Sequence, residues 1–171
     1  MLEYKTIVDF EFVKVGHFYI NENPIEVTYE NKPIALSVSL QLLHDDFRKA
    51  DESAYLIYVE DKLVYVGEYS YNLSHRWLRN GESDFVWHHK DDEIKAALSY
   101  GSEVSIWLSL SPFLKTPNGA EMNVSKSIEQ EVLKQLQLEW NQKGNLKQNE
   151  VWRTKNCMRV STVIRRIERQ S

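Results

Sequence analysis

Glu129 is a candidate functional residue, because the sequence places its carboxylate on the apolar side of a predicted helix. Residues 128–140 have the periodicity of an amphipathic helix, which a capping box at Ser127 and Gln130 would begin. At about 100° per residue, Glu129 falls inside the apolar stripe of this helix and Glu131 falls on its solvated side. An ionised carboxylate that faces a core is strongly unfavourable unless it is paired or bound to a metal. Glu129 is therefore a candidate for a buried ion pair or for a metal ligand.

A second group of titratable side chains consists of His88, His89 and Lys90. Adjacent residues on a strand point to opposite faces, so we do not expect the two histidines to share one metal ion. We expect instead that one of them contacts a phosphate backbone or assists a proton transfer. The single Cys157 excludes an internal disulfide and a zinc site of four thiolates, and we expect it to pack as a small apolar side chain.

Two tyrosines lie in a stretch that reads as a β-hairpin, with two β-rich runs divided by Glu60-Asp61-Lys62. The first run contains Ser53-Ala54-Tyr55 and the second contains Tyr65-Val66-Gly67. These tripeptides resemble the two halves of the signature of the GIY-YIG nucleases. The following Asn72-Leu73-Ser74-His75-Arg76 resembles the polar-Leu-x-x-Arg pattern of the first helix in that family, which makes Arg76 the counterpart of the catalytic arginine.

Three later positions extend the resemblance. Glu129 is similar in position to the metal-binding glutamate of the family, Asn141 to the asparagine that ends its motif, and Lys90 to a lysine of small phage and restriction-type members. The matches cover residues 53–142 and resemble the small stand-alone restriction or phage-type endonucleases. Two positions depart from the pattern: Ser53 replaces the first glycine, and one extra residue lies between Gly67 and Arg76. The insertion leaves Arg79 as the alternative to Arg76.

The resemblance implies a divalent-metal-dependent endodeoxyribonuclease that hydrolyses phosphodiester bonds. Glu129 would bind one Mg²⁺ or Mn²⁺, hard cations that prefer carboxylate oxygen, and Arg76 would hold the non-bridging phosphate oxygens through its planar fork. One of the two tyrosines would activate the water, Tyr55 in first place and Tyr65 in second, with Lys90 as the cation that favours the phenolate. The expected catalytic residues are Tyr55, Tyr65, Arg76, Lys90, Glu129 and Asn141, the last as a neutral donor.

The elements that must position these residues indicate an α/β (α+β) fold in one domain, residues 1–171. Residues 53–142 are expected to form the nuclease core, a small three-stranded mixed sheet flanked by helices at 71–80, 91–100 and 128–140, with the third strand at 103–110. Residues 1–52 read as a β-rich elaboration packed on this core, with a helical stretch at 39–50. Residues 143–171 read as a basic extension.

Charge is unevenly distributed along the chain. The net charge is −4, but residues 145–171 contain seven basic and two acidic side chains, a net charge of +5 that leaves −9 on the rest. A basic segment on an acidic body indicates a polyanionic partner or, alternatively, a solvated amphipathic helix. With the nuclease resemblance, the expected partner is DNA, in double-stranded form. The expected nucleic-acid contacts are Gly67, His88, His89, Arg153, Lys155, Arg165 and Arg166.

The same residues allow two other functions. A catalytically silent nucleic-acid-binding or protein-interaction module could keep the fold, and an unrelated α/β domain could use the tyrosines for packing only. Cleavage of both strands of a duplex calls for two active sites, so a homodimer or higher oligomer is expected for a double-strand cutter. The sequence has no apolar run of membrane-spanning length and no signal-peptide pattern, so we expect a cytoplasmic protein without a membrane partner.

Overall fold

The structure is a computed structural model that describes residues 2–79, 83–110 and 112–141. The strands in these ranges are β1 (Tyr4–Ile7), β2 (Phe10–Tyr29), β3 (Lys32–Leu42), β4 (Ala54–Val59), β5 (Lys62–Glu68), β6 (Val104–Leu108), β7 (Phe113–Lys115) and β8 (Glu121–Asn123). The helices are a 3₁₀-helix (Asp45–Lys49), α1 (Leu73–Trp77), α2 (Asp91–Ser99) and α3 (Ser125–Gln135). None of the described helices is long and apolar enough to cross a membrane.

The predicted hairpin is confirmed as β4 and β5. The strands pair antiparallel from Ala54 opposite Glu68 to Val59 opposite Lys62, and Glu60 in the turn has a positive φ of 52°. The predicted third strand is also confirmed, because β6 pairs antiparallel with the other edge of β4. The expected mixed sheet is wrong for the described strands, since every pairing among them is antiparallel.

The sheet is larger than the three strands that were expected. β2 pairs with the free edge of β6, from Val13 opposite Leu108 to Phe18 opposite Val104. β1 and β3 also pair with β2, so the sheet has six strands. Five of them follow the order β1-β2-β6-β4-β5, and β3 pairs with β2 outside this order. The amino-terminal β structure is therefore part of the central sheet and not an elaboration packed on it, because β2 supplies the hydrogen bonds that the edge of β6 needs.

A helix expected over residues 39–50 is mostly wrong. Ser39 to Leu42 belong to β3, and only Asp45–Lys49 form a short 3₁₀-helix. Val38, Leu40 and Leu42 alternate along β3 and pack into the core, so their spacing follows the period of a strand. β2 can approach β3 closely because Gly16 has no side chain; a Cβ at Gly16 would lie 2.5 Å from the carbonyl oxygen of Gln41.

Both faces of the sheet are covered. One face, with Tyr55 and Ile57 of β4, packs against α1 and α2 through Trp77 and Ile94. The opposite face packs against α3; its buried side chains include Leu56, Trp107, Ile128 and Val132. The alternation of β4 residues between the two clusters follows the period of the strand. On the first face, α1 carries Arg76, and the loop before α2 carries His88 and His89.

Two of the predicted helices have different bounds. α1 has five residues, fewer than the predicted 71–80, and Asn72 caps it by accepting a hydrogen bond from the backbone N–H of His75. α3 begins at Ser125, so the predicted capping box at Ser127 is wrong. It ends at Gln135, before the predicted end at residue 140, because the following chain pairs with β5. The helix predicted over 91–100 is confirmed as α2.

Candidate active site

The hairpin places Tyr55 and Tyr65 side by side. Gly67 is the cross-strand partner of Tyr55, and Tyr65 lies two residues before Gly67, so the two tyrosines are diagonal neighbours on one face of the sheet. Their ring centroids are 5.9 Å apart, and their hydroxyls share a hydrogen bond. Tyr55 is fully buried, whereas Tyr65 keeps 6% of its surface exposed. Tyr65 is therefore the tyrosine that a water or a substrate can reach.

Gly67 makes the position of the Tyr55 ring possible. A Cβ at Gly67 would lie 2.5 Å from both Cζ and the hydroxyl oxygen of Tyr55. Contacts of that length do not occur, so only glycine lets the ring cross the neighbouring strand. Gly67 is itself buried and has a packing role here. Its expected contact with nucleic acid stays a prediction.

His88 is held in one protonation state and one tautomer. Its ring stacks on Trp77 at a centroid distance of 3.8 Å, and its Nδ1 accepts a hydrogen bond from the backbone N–H of Lys90 at 3.2 Å. The proton therefore lies on Nε2, which is 3.1 Å from the Tyr55 hydroxyl and donates to it. Burial, with the nearby charges of His89, Arg76 and Lys90, lowers the pKa of His88 to about 2, so the ring is neutral.

The tyrosine hydroxyls are bonded to groups at both ends of the cluster. The Tyr55 oxygen accepts from Nε2 of His88 and from Nη2 of Arg76 at 3.5 Å. The Tyr65 hydroxyl shares a hydrogen bond with Nε2 of His89 at 3.2 Å, and His89 lies at the surface. The cluster thus extends from the buried His88 to the exposed His89.

The two tyrosines differ in how easily they ionise. Burial raises the pKa of Tyr55 well above its usual range and the proximity of Tyr65 raises it further, whereas the charge and hydrogen bond of Arg76 act to lower it. Burial also raises the pKa of Tyr65, but the hydrogen bond from Tyr55 and the charge of Arg76 act in the opposite direction. Both tyrosines are therefore harder to ionise than in water, and the order expected from the sequence, Tyr55 first and Tyr65 second, stays a prediction.

Arg76 is the arginine that contacts the tyrosines. It lies in α1 and is exposed, with its Nη2 atom on the Tyr55 hydroxyl. Arg79 lies beyond the end of α1, where its backbone N–H pairs with the carbonyl of Phe85. The extra residue after Gly67 has thus not moved Arg76 away from the hairpin.

Lys90 has a different partner from the one expected. Its Nζ atom is 3.1 Å from Oε1 of Glu93, and both side chains are mostly buried. The same Nζ is 5.5 Å from the centroid of the Tyr65 ring. The charge of Arg76 acts to lower the pKa of Tyr65 and that of Glu93 acts to raise it, and the expected role of Lys90 beside a phenolate stays a prediction. Glu93 was not identified from the sequence, although a lysine and a glutamate three residues apart in a helix commonly pair.

Glu129 lies on α3 and is half-buried. Its negative charge raises the pKa of Tyr65, which places the carboxylate within electrostatic reach of the tyrosine cluster. Within residues 2–79, 83–110 and 112–141, no group of three His, Cys, Asp or Glu side chains could hold a metal ion. The expected binding of Mg²⁺ or Mn²⁺ at Glu129 stays a prediction.

Asn141 contacts the backbone of β5. Its Oδ1 accepts a hydrogen bond from the backbone N–H of Val66 at 2.7 Å, and its Nδ2 donates to the Val66 carbonyl at 2.6 Å. The backbone N–H of Trp140 also donates to the carbonyl of Val64. Asn141 therefore satisfies the edge of the strand that carries Tyr65, and positions this tyrosine through Val66.

The structure brings together most of the residues that the sequence singled out. The remaining four expected nucleic-acid contacts, Arg153, Lys155, Arg165 and Arg166, lie outside the described residues. Comparison of the chain with protein-family models, with curated proteins and with solved structures finds no significant match. Function is therefore inferred from the sequence motifs and the geometry of the site.

Proposed function

We propose that the protein is a divalent-metal-dependent DNA endonuclease of the GIY-YIG type, of the restriction or phage kind, that hydrolyses phosphodiester bonds. The observation that carries the proposal is the cluster of hydrogen bonds on the two tyrosines: Tyr55 contacts His88 and Arg76, and Tyr65 beside it contacts His89. A packing role for the tyrosines would not require the exposed His89 on the Tyr65 hydroxyl or the exposed Arg76 on the Tyr55 hydroxyl. Both are groups that phosphodiester hydrolysis uses.

In the proposed mechanism, Arg76 binds the non-bridging oxygens of the scissile phosphate and stabilises the charge that develops in the transition state. Tyr65 takes a proton from the attacking water while its own proton passes to Nε2 of His89, from which it reaches solvent. Tyr55 donates its hydrogen bond to Tyr65 and so stabilises the phenolate character of that oxygen.

Glu129 is the residue that would hold Mg²⁺ or Mn²⁺ in this mechanism. When bound, such an ion polarises the phosphate and stabilises the departing 3′ oxygen. Lys90 and Glu93 keep the loop before α2 in place through their buried ion pair, so that His88 and His89 face the two tyrosines.

The test of the proposal is incubation of the purified protein with supercoiled and linear DNA, with and without Mg²⁺ or Mn²⁺. We expect divalent-ion-dependent nicks or double-strand breaks in the wild type and their loss in Glu129→Ala. Glu131→Ala is the matched control, because Glu131 lies on the same helix and bonds to Gln135 and Lys134 instead. Absence of cleavage by the wild type under all ions contradicts the proposal. Equal loss in both variants contradicts the role of Glu129.

Arg76→Lys tests the same site without removing a positive charge. The variant is expected to keep most of its DNA affinity and to lose cleavage by about 10²- to 10³-fold, as when one positioned donor is removed from a transition state. The matched control is Arg79→Lys, which should cleave at the rate of the wild type. An essential Arg79 with a dispensable Arg76 would show that the arginine assignment is wrong.

A further inference from the structure

A groove beside the tyrosine cluster carries two aromatic side chains that the proposed chemistry does not use. Tyr29 at the end of β2 and Trp87 in the loop before α2 line this groove, which has a volume of about 340 Å³. Their rings meet edge to face, with centroids 5.4 Å apart and an interplanar angle of 66°. Half of the surface of Tyr29 is exposed, so its ring is open to a ligand.

The same groove is lined by Arg76, His88 and His89. The aromatic pair and the proposed phosphate-binding arginine therefore open into one continuous space. In a nucleic-acid strand, a base lies next to each phosphate, so a phosphate bound at Arg76 brings a neighbouring base to Tyr29 and Trp87. Aromatic side chains bind bases by stacking, and a cation beside them complements the charge of the backbone.

We propose that this groove binds one unpaired base of a DNA strand, the base adjacent to the phosphate at Arg76. The inference rests on the proposed function and adds a substrate class to it. A base inside a duplex is stacked and paired, so it reaches the groove only when it is flipped out or already single-stranded. The preferred substrate is therefore DNA with an unpaired nucleotide next to the bond that is cut.

Asp91 also lines the groove, and its Oδ1 atom accepts a hydrogen bond from the backbone N–H of Asp92. Unpaired bases carry amino or imino N–H groups, and a carboxylate accepts hydrogen bonds from such donors.

The test measures binding in the absence of divalent ions, so that cleavage does not interfere. The probes are short single-stranded oligonucleotides in which 2-aminopurine, a fluorescent base with an amino group, is moved along the strand. Stacking in the groove quenches its emission. We expect quenching by the full-length wild type at one position and a loss of affinity of about five- to a hundredfold in Tyr29→Leu, the range for loss of one stacked base.

Tyr19→Leu is the matched control, because Tyr19 lies on the same strand, is 37% exposed and does not line the groove. It should bind as the wild type does. An oligonucleotide with an abasic site at the quenched position should bind the wild type as weakly as the intact strand binds Tyr29→Leu. A second variant, Trp87→Phe, keeps an aromatic ring and should lose less affinity than Tyr29→Leu.

The outcomes separate this proposal from the nuclease itself. If the wild type cleaves DNA but Tyr29→Leu and Tyr19→Leu bind the probes equally, the base-binding groove is wrong and the proposed function stands. If the wild type quenches 2-aminopurine in a Tyr29-dependent way but never cleaves, the groove is supported and the nuclease is contradicted. If no probe binds and no DNA is cleaved, both are overturned.

Discussion

His88 shows how much a single buried side chain determines in this site. Its neutral ring is the donor that orients the Tyr55 hydroxyl, and its folded-state pKa is about 2, far below the value of about 6.5 in an unfolded chain. Between these pH values the unfolded chain binds a proton at His88 that the folded protein does not bind. The contribution of His88 to the free energy of unfolding is therefore fully present above about pH 6.5, and it falls as the pH decreases towards 2.

His88→Gln tests this linkage, because glutamine keeps an N–H donor for Tyr55 and does not titrate. We expect the free energy of unfolding of the wild type to fall more steeply between pH 7 and pH 4 than that of the variant, by at most about 1.4 kcal/mol per pH unit. Urea denaturation at a series of pH values measures both slopes. Parallel slopes would show that His88 accepts a proton in the folded state.

The two tyrosines should respond differently to removal of the hydroxyl. Tyr65→Phe is expected to abolish cleavage, because the proposed proton acceptor is lost. Tyr55→Phe removes a hydrogen bond that lowers the pKa of Tyr65, so the rising limb of the pH–rate profile should move to higher pH while activity is partly regained there. Profiles of kcat against pH check this. If Tyr55→Phe is inactive and Tyr65→Phe is active, Tyr55 is the residue that accepts the proton of the attacking water.

At the scale of elements, the segment that follows α3 protects the outer strand of the hairpin. Val66 is fully buried, and its backbone N–H and carbonyl are both bonded to the Asn141 amide. Asn141→Asp keeps the acceptor but replaces the donor with a carboxylate that faces a carbonyl. We expect a loss of about 1–3 kcal/mol in the free energy of unfolding, as for a buried group left without its partner.

Amide hydrogen exchange locates this effect. The backbone N–H of Val66 should exchange faster in Asn141→Ala than in the wild type, whereas the N–H of Ile57 in the middle of β4 should change only with global stability. Equal acceleration at both amides would show that Asn141 acts on the fold as a whole and not on the strand edge.

Local patterns predicted some elements and long-range contacts determined others. The hairpin of β4 and β5 could be predicted because two β-rich runs flank a short polar turn within about fifteen residues. The strand at 39–42 could not be predicted, because its apolar residues fit the period of a helix as well as that of a strand. The structure forms a strand there because β3 pairs with β2, with Leu40 opposite Phe18. The early end of α3 depends on the bond from Trp140 to Val64, which no local pattern contains.

The same distinction applies to the candidate site. Tyr55, Tyr65 and Arg76 could be identified from the order of short motifs, and the structure brings them together. The tautomer of His88 and the pairing of Lys90 with Glu93 could not be predicted from the sequence. Both depend on how the loop before α2 packs against the hairpin. The proposed choice of Tyr65 over Tyr55 as proton acceptor also depends on the fold, since burial and partners such as Arg76 act on the pKa of each tyrosine.

At the scale of the whole molecule, the sheet joins the amino-terminal strands to the hairpin through β6. β6 lies between β2 and β4, and all five of its residues are buried. Val13, Val15 and Phe18 of β2 belong to the same core cluster as Tyr55 and Trp77 of the site. The strands before residue 52 therefore contribute directly to the core that supports the tyrosines.

This continuity predicts that residues 53–141 cannot fold alone. Without β2, the inner edge of β6 would expose unpaired backbone groups, and the core beneath Tyr55 would lose Val15 and Phe18. We expect that fragment to aggregate or to unfold without a cooperative transition, whereas a fragment of residues 1–141, which keeps every described strand, should unfold cooperatively. Circular dichroism during thermal unfolding compares the two. A cooperative transition in residues 53–141 would show instead that the hairpin, β6 and the three helices form an independent core.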